Sequence, residues 1–191
     1  MRTLLLRFPV LLFAVAVTTA VFAADFTPDP GFVSLFNGRD LTGWKYTGGS
    51  AFDSMTQSSD GRYSAAGGIL TVHAHTPRQI SQIWTVREFP KDFILKLEFR
   101  AEVNADSGIF IRKPQLQCRD YLVAGPYKEL KKYKPQDWNE IVVTVKGGVA
   151  VCTCNGELLE AALALPPTGG IGLEGDRGQM EYRHIQLKEL P

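Results

Sequence analysis

From Ile69 onward the chain alternates apolar and polar residues almost strictly in twos. Ile69–His75 places Leu70, Val72 and Ala74 on one side. Phe93–Arg100 sets Leu95, Leu97 and Phe99 against Lys96, Glu98 and Arg100. Ser107–Arg112 puts Ile109 and Ile111 opposite Phe110 and Arg112. Asn139–Lys146 opposes Ile141, Val143 and Val145 to Glu140, Val142, Thr144 and Lys146. Val149–Cys154, Ile171–Leu173 and Met180–Leu187 continue the series. Successive strand side chains point to opposite faces, so this pattern predicts strands with one core face and one different face.

The breaks carry turn chemistry. Gly67-Gly68, Lys146-Gly147-Gly148, Asn155-Gly156 and Gly169-Gly170 separate the runs at spacings suited to antiparallel meanders, and Val149–Leu158 reads as a hairpin. Leu158–Leu165 is the one run that could make a helical turn or two before Pro166-Pro167 stops it. Gly48–Gly61 and Gln115–Lys134 lack periodicity and read as loops. Upstream, Phe32–Phe36 followed by Asn37-Gly38, Leu41 and Trp44 reads as an edge strand, a tight turn and an aromatic clamp. Many short strands with little helix predict an all-β, two-sheet antiparallel sandwich.

Residues 1–23 combine Arg2 and Arg7, an apolar core at Val10–Val17 and small residues before a cut after Ala23 or Ala24. That is the pattern of a secretory signal peptide, and its apolar stretch is short for a membrane span. The expectation is an exported, periplasmic or extracellular protein: one domain over 24–191, with no membrane association after cleavage. Losing the two arginines turns a formal net charge of +1 into −1. Nothing in that balance matches the basic footprint of a nucleic-acid binder. Cys118, Cys152 and Cys154 read as buried thiols or as one disulfide between Cys118 and either partner. The pattern is too poor in ligands for zinc. No cofactor is implied, and nothing fixes an oligomeric state.

Glu98 and Arg100 share one side of a strand, and Arg112 ends another. If those strands are neighbours, they present a carboxylate and guanidinium face suited to sugar hydroxyls. Ordinary cross-strand ion pairs explain the same spacing equally well. Gly108 removes a side chain where something could approach the backbone. Gln117, Arg119, Asp120 and Tyr127 follow as a polar and aromatic set in which Asp120 could act as a base and Tyr127 as a proton donor or stacking ring. Both also suit blander roles, as a turn cap and as packing beneath a loop. His73 and His75 share a strand face without a third ligand, and His184 reads as a sheet residue. Trp44, Trp84 and Trp138 read first as core, Trp84 least firmly because Arg87 and Glu88 lie beside it. No nucleophile elbow, HExxH, phosphate-cradling loop or glycosidase carboxylate array is present.

Five pieces in order resemble the 3-keto-disaccharide hydrolase domain family: Phe32–Trp44 (FVSLFNGRDLTGW), Phe93–Arg100 (FILKLEFR), Asn104–Arg112 (NADSGIFIR), Trp138-Asn139 with a strand and Asn155-Gly156, and Gly170–Leu190 (GIGLEGDRGQMEYRHIQLKEL). The resemblance implies a concanavalin A-like jelly roll of the lectin and glucanase type, with a carbohydrate as ligand or substrate. It also implies cleavage of glycosides oxidised at C3, where the ketone acidifies the C2 proton. Under it Arg112 would bind substrate or the enolate, Asp120 or Glu174 would be the base, and Gln117 and Tyr127 would contact the sugar, joined by Glu98 and Arg100 from the polar strand face. Two departures stand out. Where relatives show a Tyr-Glu-x-Gln-type strand this chain has Pro114-Gln115-Leu116-Gln117, without the acid. In the last hairpin, where some relatives carry Leu-Gln and then a histidine, it has Leu173-Glu174-Gly175-Asp176. A non-catalytic, lectin-like carbohydrate-binding module is the alternative.

Overall fold

The computed structural model describes residues 26–191, so the signal-peptide segment lies outside the described residues. Thirteen strands form two antiparallel sheets, with no helix among the described residues. The strands are β1 (Val33–Ser34), β2 (Trp44–Tyr46), β3 (Tyr63–Ala66), β4 (Ile69–Val72), β5 (Ser81–Thr85), β6 (Phe93–Ala101) and β7 (Asp106–Ile111). They continue with β8 (Gln115–Arg119), β9 (Asn139–Lys146), β10 (Val149–Cys154), β11 (Glu157–Ala164), β12 (Ile171–Gly175) and β13 (Met180–Glu189). The larger sheet runs β11-β10-β9-β6-β13-β4-β3, with β1 also on β13; the smaller runs β2-β5-β12-β7-β8. This is the jelly-roll sandwich the alternation and the resemblance predict.

The core lies between the sheets. Phe93, Leu95, Leu97 and Phe99 of β6, with Ile141, Val143 and Val145 of β9, face Ile109, Ile111, Leu116, Ile171 and Leu173 of the smaller sheet. The opening motif folds as read. β1 pairs with β13, Asn37 Oδ1 accepts the amides of Arg39 at 2.8 Å and Asp40 at 3.0 Å, and buried Trp44 donates its Nε1 to Leu35 O at 2.9 Å. The three cysteines are buried thiols.

Three expectations are corrected. The run read as a helical turn is strand β11, because Asn155-Gly156 turns it back onto β10 and ladder pairing overrides its Leu- and Ala-rich propensity. The first five residues of the expected Gln115–Lys134 loop are β8, an edge strand whose inward residues are only Leu116 and Cys118. Third, the Glu98 and Arg112 strands are not neighbours. β6 lies in one sheet and β7 in the other, since the chain crosses the sandwich between them.

Candidate functional site

The smaller sheet has an outer face unlike that of a merely solvated strand layer. Its core residues are Ile83 on β5, Ile109 and Ile111 on β7, Leu116 and Cys118 on β8, and Ile171 and Leu173 on β12. The alternating positions between them turn outward: Gln82 and Trp84, Gly108 and Phe110, Gln115 and Gln117, Gly172 and Glu174. Register aligns these into cross-strand rows. Lys45, Trp84, Gly172, Phe110 and Gln115 form one row. Glu174 pairs with Gln82, and because Leu173 pairs with Ile109 it lies by Gly108, which pairs with Gln117.

Glu174 is only 8% exposed, and its partners are amides rather than cations. Gln115 Nε2 donates to its Oε2 at 2.7 Å, and Gln82 also hydrogen-bonds it. Burial raises its pKa above the usual glutamate value; nearby Asp176 and Asp106 push the same way, and the two amides only partly offset them. Gly108 makes the contact possible: a Cβ there would lie 2.0 Å from Gln115 Nε2, so only glycine lets that amide cross β7 to reach Glu174.

Beyond Glu174 the face becomes charged. Asp176 grips Arg78 through both carboxylate oxygens, with the Nη2 contact at 2.6 Å. Asp106 accepts Gln117 Nε2 at 2.7 Å and pairs with Arg119 at 3.2 Å and Arg177 at 3.6 Å. A shallow hollow of about 320 Å³, lined by Tyr46, Thr47, Ile80, Ser81 and Gln82, adjoins the Gln82 side. Among the described residues no three His, Cys, Asp or Glu side chains are grouped to hold a metal ion.

Of the seven residues singled out from the sequence, Glu174 and Gln117 share this face and the others do not. Arg112, with a left-handed φ of 61°, points its guanidinium at three backbone carbonyls: Phe89 O at 2.8 Å, Lys91 O at 2.7 Å and Pro166 O at 2.9 Å. It fastens the loops at one sheet end, four residues along β7 from Gly108, or roughly 13 Å. Asp120 sits past the opposite end, buried, accepting Asn104 N at 3.1 Å and Tyr133 Oη at 3.3 Å. Tyr127 donates its hydroxyl to Glu160 of β11, at the edge of the other sheet. Glu98 and Arg100 lie on that sheet's outer face, paired across strands with Arg183 and Glu181. His73 bonds Ser64 at 2.7 Å and His75 bonds Pro77 O at 2.9 Å, so the histidines are held apart.

The profile of the 3-keto-alpha-glucoside-1,2-lyase-like domain matches residues 31–188, nearly all of the described chain. The chain belongs to this family. No curated protein sequence matches it. Among solved structures, this lyase-like domain is similar to a candidate glycosyl hydrolase from Parabacteroides distasonis at 19% identity and TM-score 0.63, covering 84% of this chain and 95% of that one. A second protein from that organism, of the same description, matches at 20% identity and TM-score 0.56, covering 77% and 99%. An O-glycanase from the human gut microbiota matches at 11% identity and TM-score 0.54, covering 84% and 98%. At these identities the structural likenesses establish the fold.

Several residues of the face escaped the sequence reading. Gln82 lies in a strand of five residues, too short for alternation to stand out from a loop, and Trp84 of the same strand, read first as core, is half-buried on the outer face instead. Gln115 reads as a lost acid, because nothing in its own strand shows that a carboxylate reaches it from β12. Arg78 and Asp106 act through partners 98 and 13 positions away, respectively Asp176 and Arg119, and no local spacing reveals such pairs.

Proposed function

We propose that the lyase-like domain is exported and cleaves 3-keto-glycosides, with the Glu174 carboxylate as the base. Glu174 takes the C2 proton, and the C2–H pair forms the enolate with C3. The enolate then collapses to restore the C3 ketone, a C1=C2 bond forms, and the C1–O bond breaks. The leaving alkoxide takes up a proton. Water adding across C1=C2, with hydroxyl at C1 and hydrogen at C2, completes hydrolysis without change of oxidation state.

The observation that carries this reading is Glu174 itself: a desolvated carboxylate hydrogen-bonded by two amides, with its pKa raised, on the outer face of a chain from a 3-keto-glucoside lyase-like family. A carboxylate whose pKa is raised toward neutrality is the better proton acceptor from carbon. Arg78 and Arg177 are held by Asp176 and Asp106 but stay substantially exposed, and their remaining N–H groups supply donors for the developing enolate oxygen. The sequence departure acquires a meaning here. The acid absent at Gln115 is replaced within hydrogen-bonding reach by one on β12, two strands away across Gly108 of β7.

The second reading, a carbohydrate-binding module without turnover, draws on the amides Gln82, Gln115 and Gln117 of the same face. The test offers protein spanning 24–191 the 3-keto forms of trehalose and lactose and their unoxidised parents. Turnover confined to the keto sugars, abolished by Glu174→Gln, is the expected result. Binding without turnover selects the second reading, and hydrolysis of the unoxidised parents overturns the elimination mechanism.

A further inference from the structure

Trp84 is the tryptophan for which the fold leaves a surface role. Trp44 is fully buried, and Trp138 lies under the guanidinium groups of Arg183 at 4.0 Å and Arg100 at 4.8 Å. Trp84 instead lies on the outer face of the smaller sheet, half-buried, beside Phe110 at a ring separation of 5.3 Å and a tilt of 48°. Gly172 stands between them in the ladder. A Cβ there would sit 3.0 Å from Phe110 Cβ and from two ring carbons of Trp84, so the missing side chain lets the two rings close over β12. The indole Nε1, the polar atom of this pair, is sheltered and has no hydrogen-bond partner. The rings themselves therefore offer stacking surface and no free hydrogen-bonding group, while Lys45 and Gln115 flank them at the two ends of the row.

Its position relative to Glu174 gives it a use. Trp84 and Phe110 pair with Gly172, two residues from Glu174 on the same face, a step of roughly 7 Å and about the width of one sugar ring. The opposite direction along β12 leads to Asp176, Arg78 and Asp106. The face is thus apolar on one side of the base and charged on the other. An enolate oxygen belongs at the charged end, and a neutral, flat leaving group belongs on the rings.

Resting on the reading of Glu174 as base, we propose that the Trp84–Phe110 shelf receives the C1 substituent, and that the favoured substrates are 3-keto-glycosides bearing an aromatic leaving group. Ring-on-ring stacking gives the selectivity, and the rings' lack of hydrogen-bonding groups disfavours a second sugar there.

The test compares 2-phenylethyl and methyl 3-keto-glucoside, whose alkoxide leaving groups are chemically alike, by calorimetric binding to the Glu174→Gln protein. The expected result is about tenfold tighter binding of the phenylethyl compound. That ratio should fall toward one when Trp84→Ala or Phe110→Leu is added, and persist when Trp138→Ala is added. Melting temperatures show which variants fold, and the Phe110→Leu arm stands if Trp84→Ala does not. Equal affinities, a ratio that survives both shelf variants, or tighter binding of 3-keto-lactose than of the phenylethyl compound each overturns the shelf. In those cases Glu174-dependent turnover of the wild-type protein keeps the parent reading intact. If neither compound binds and neither is turned over, the parent reading falls and the shelf with it.

Discussion

The two outer faces of this sandwich are both rich in charge, yet they are built on opposite principles. On the larger sheet the charged side chains of β6 are each held by a partner. Glu98 pairs with Arg183, Arg100 with Glu181 and Lys96 with Asp29, and even the Trp138 ring is occupied by guanidinium groups. On the smaller sheet the central carboxylate has amide partners, burial and then its acidic neighbours raise its pKa, and the arginines stand to one side. The number of charged residues does not separate the faces. Ion pairs occur on both, Asp176 with Arg78 and Asp106 with Arg119 on the smaller sheet; what separates the faces is the buried Glu174 held by amides, because a paired carboxylate is a poor base and a desolvated one a better one.

The comparison breaks most directly at Glu174. Glu174→Gln keeps the shape of the side chain and should lower kcat on 3-keto-glycosides by roughly 10²–10⁴-fold, the range for loss of a positioned general base. Unchanged kcat would remove the smaller sheet's special status. The same variant has a stability signature. Where the folded-state pKa of a carboxyl is raised, the folded state holds more protons than the unfolded one between the two values. Stability therefore falls as pH rises from about the reference value of 4.5 through the raised folded value. Denaturation of wild type and variant across that window should show this fall only in the wild type.

Arg112 gives the next largest effect, on stability rather than chemistry. Arg112→Leu leaves the Phe89, Lys91 and Pro166 carbonyls without their donor and should cost about 3 kcal/mol. In a domain of this size that lowers Tm by roughly 6–12 °C. Turnover per folded molecule should persist at low temperature; its loss with an intact fold would return Arg112 to the site. Gln115→Glu sharpens the comparison by setting a second carboxylate against Glu174. One proton of the pair is then held more tightly, and the acid limb of the pH–rate profile should move up by about one pH unit or more. A limb that stays put would mean Glu174 is not the titrating base. The smallest effect belongs to the larger sheet. Glu98→Gln should change stability by less than about 1 kcal/mol and leave the kinetics alone, as expected for a partly exposed ion pair in double-mutant cycles.

Much of the fold was legible because alternation is a local signal. β6, β9 and β13 are long enough for the period to be read directly, and Asn155-Gly156 marks its hairpin without help. Short strands such as β5 and β8 were not legible, since a few residues carry too few alternations. β11 misled because Leu and Ala favour helix until a partner strand is present. The site was half visible. Glu174 and Gln117 could be picked out as polar residues in suggestive places, but so could Asp120, Tyr127, Glu98 and Arg100, which the fold sends elsewhere.

By itself the chain determined which residues face inward along each long strand, where the chain turns, and which family it belongs to, because these depend on neighbours a few positions apart. Only the tertiary structure decided which sheet each strand joins, and hence which charges meet in ion pairs and which carboxylate is hydrogen-bonded by amides. Those outcomes depend on pairings such as Gln115 with Glu174 and Arg78 with Asp176, across 59 and 98 positions. Electrostatic environment is a property of the space around a group, and the order of residues fixes that space only once the sheets have formed.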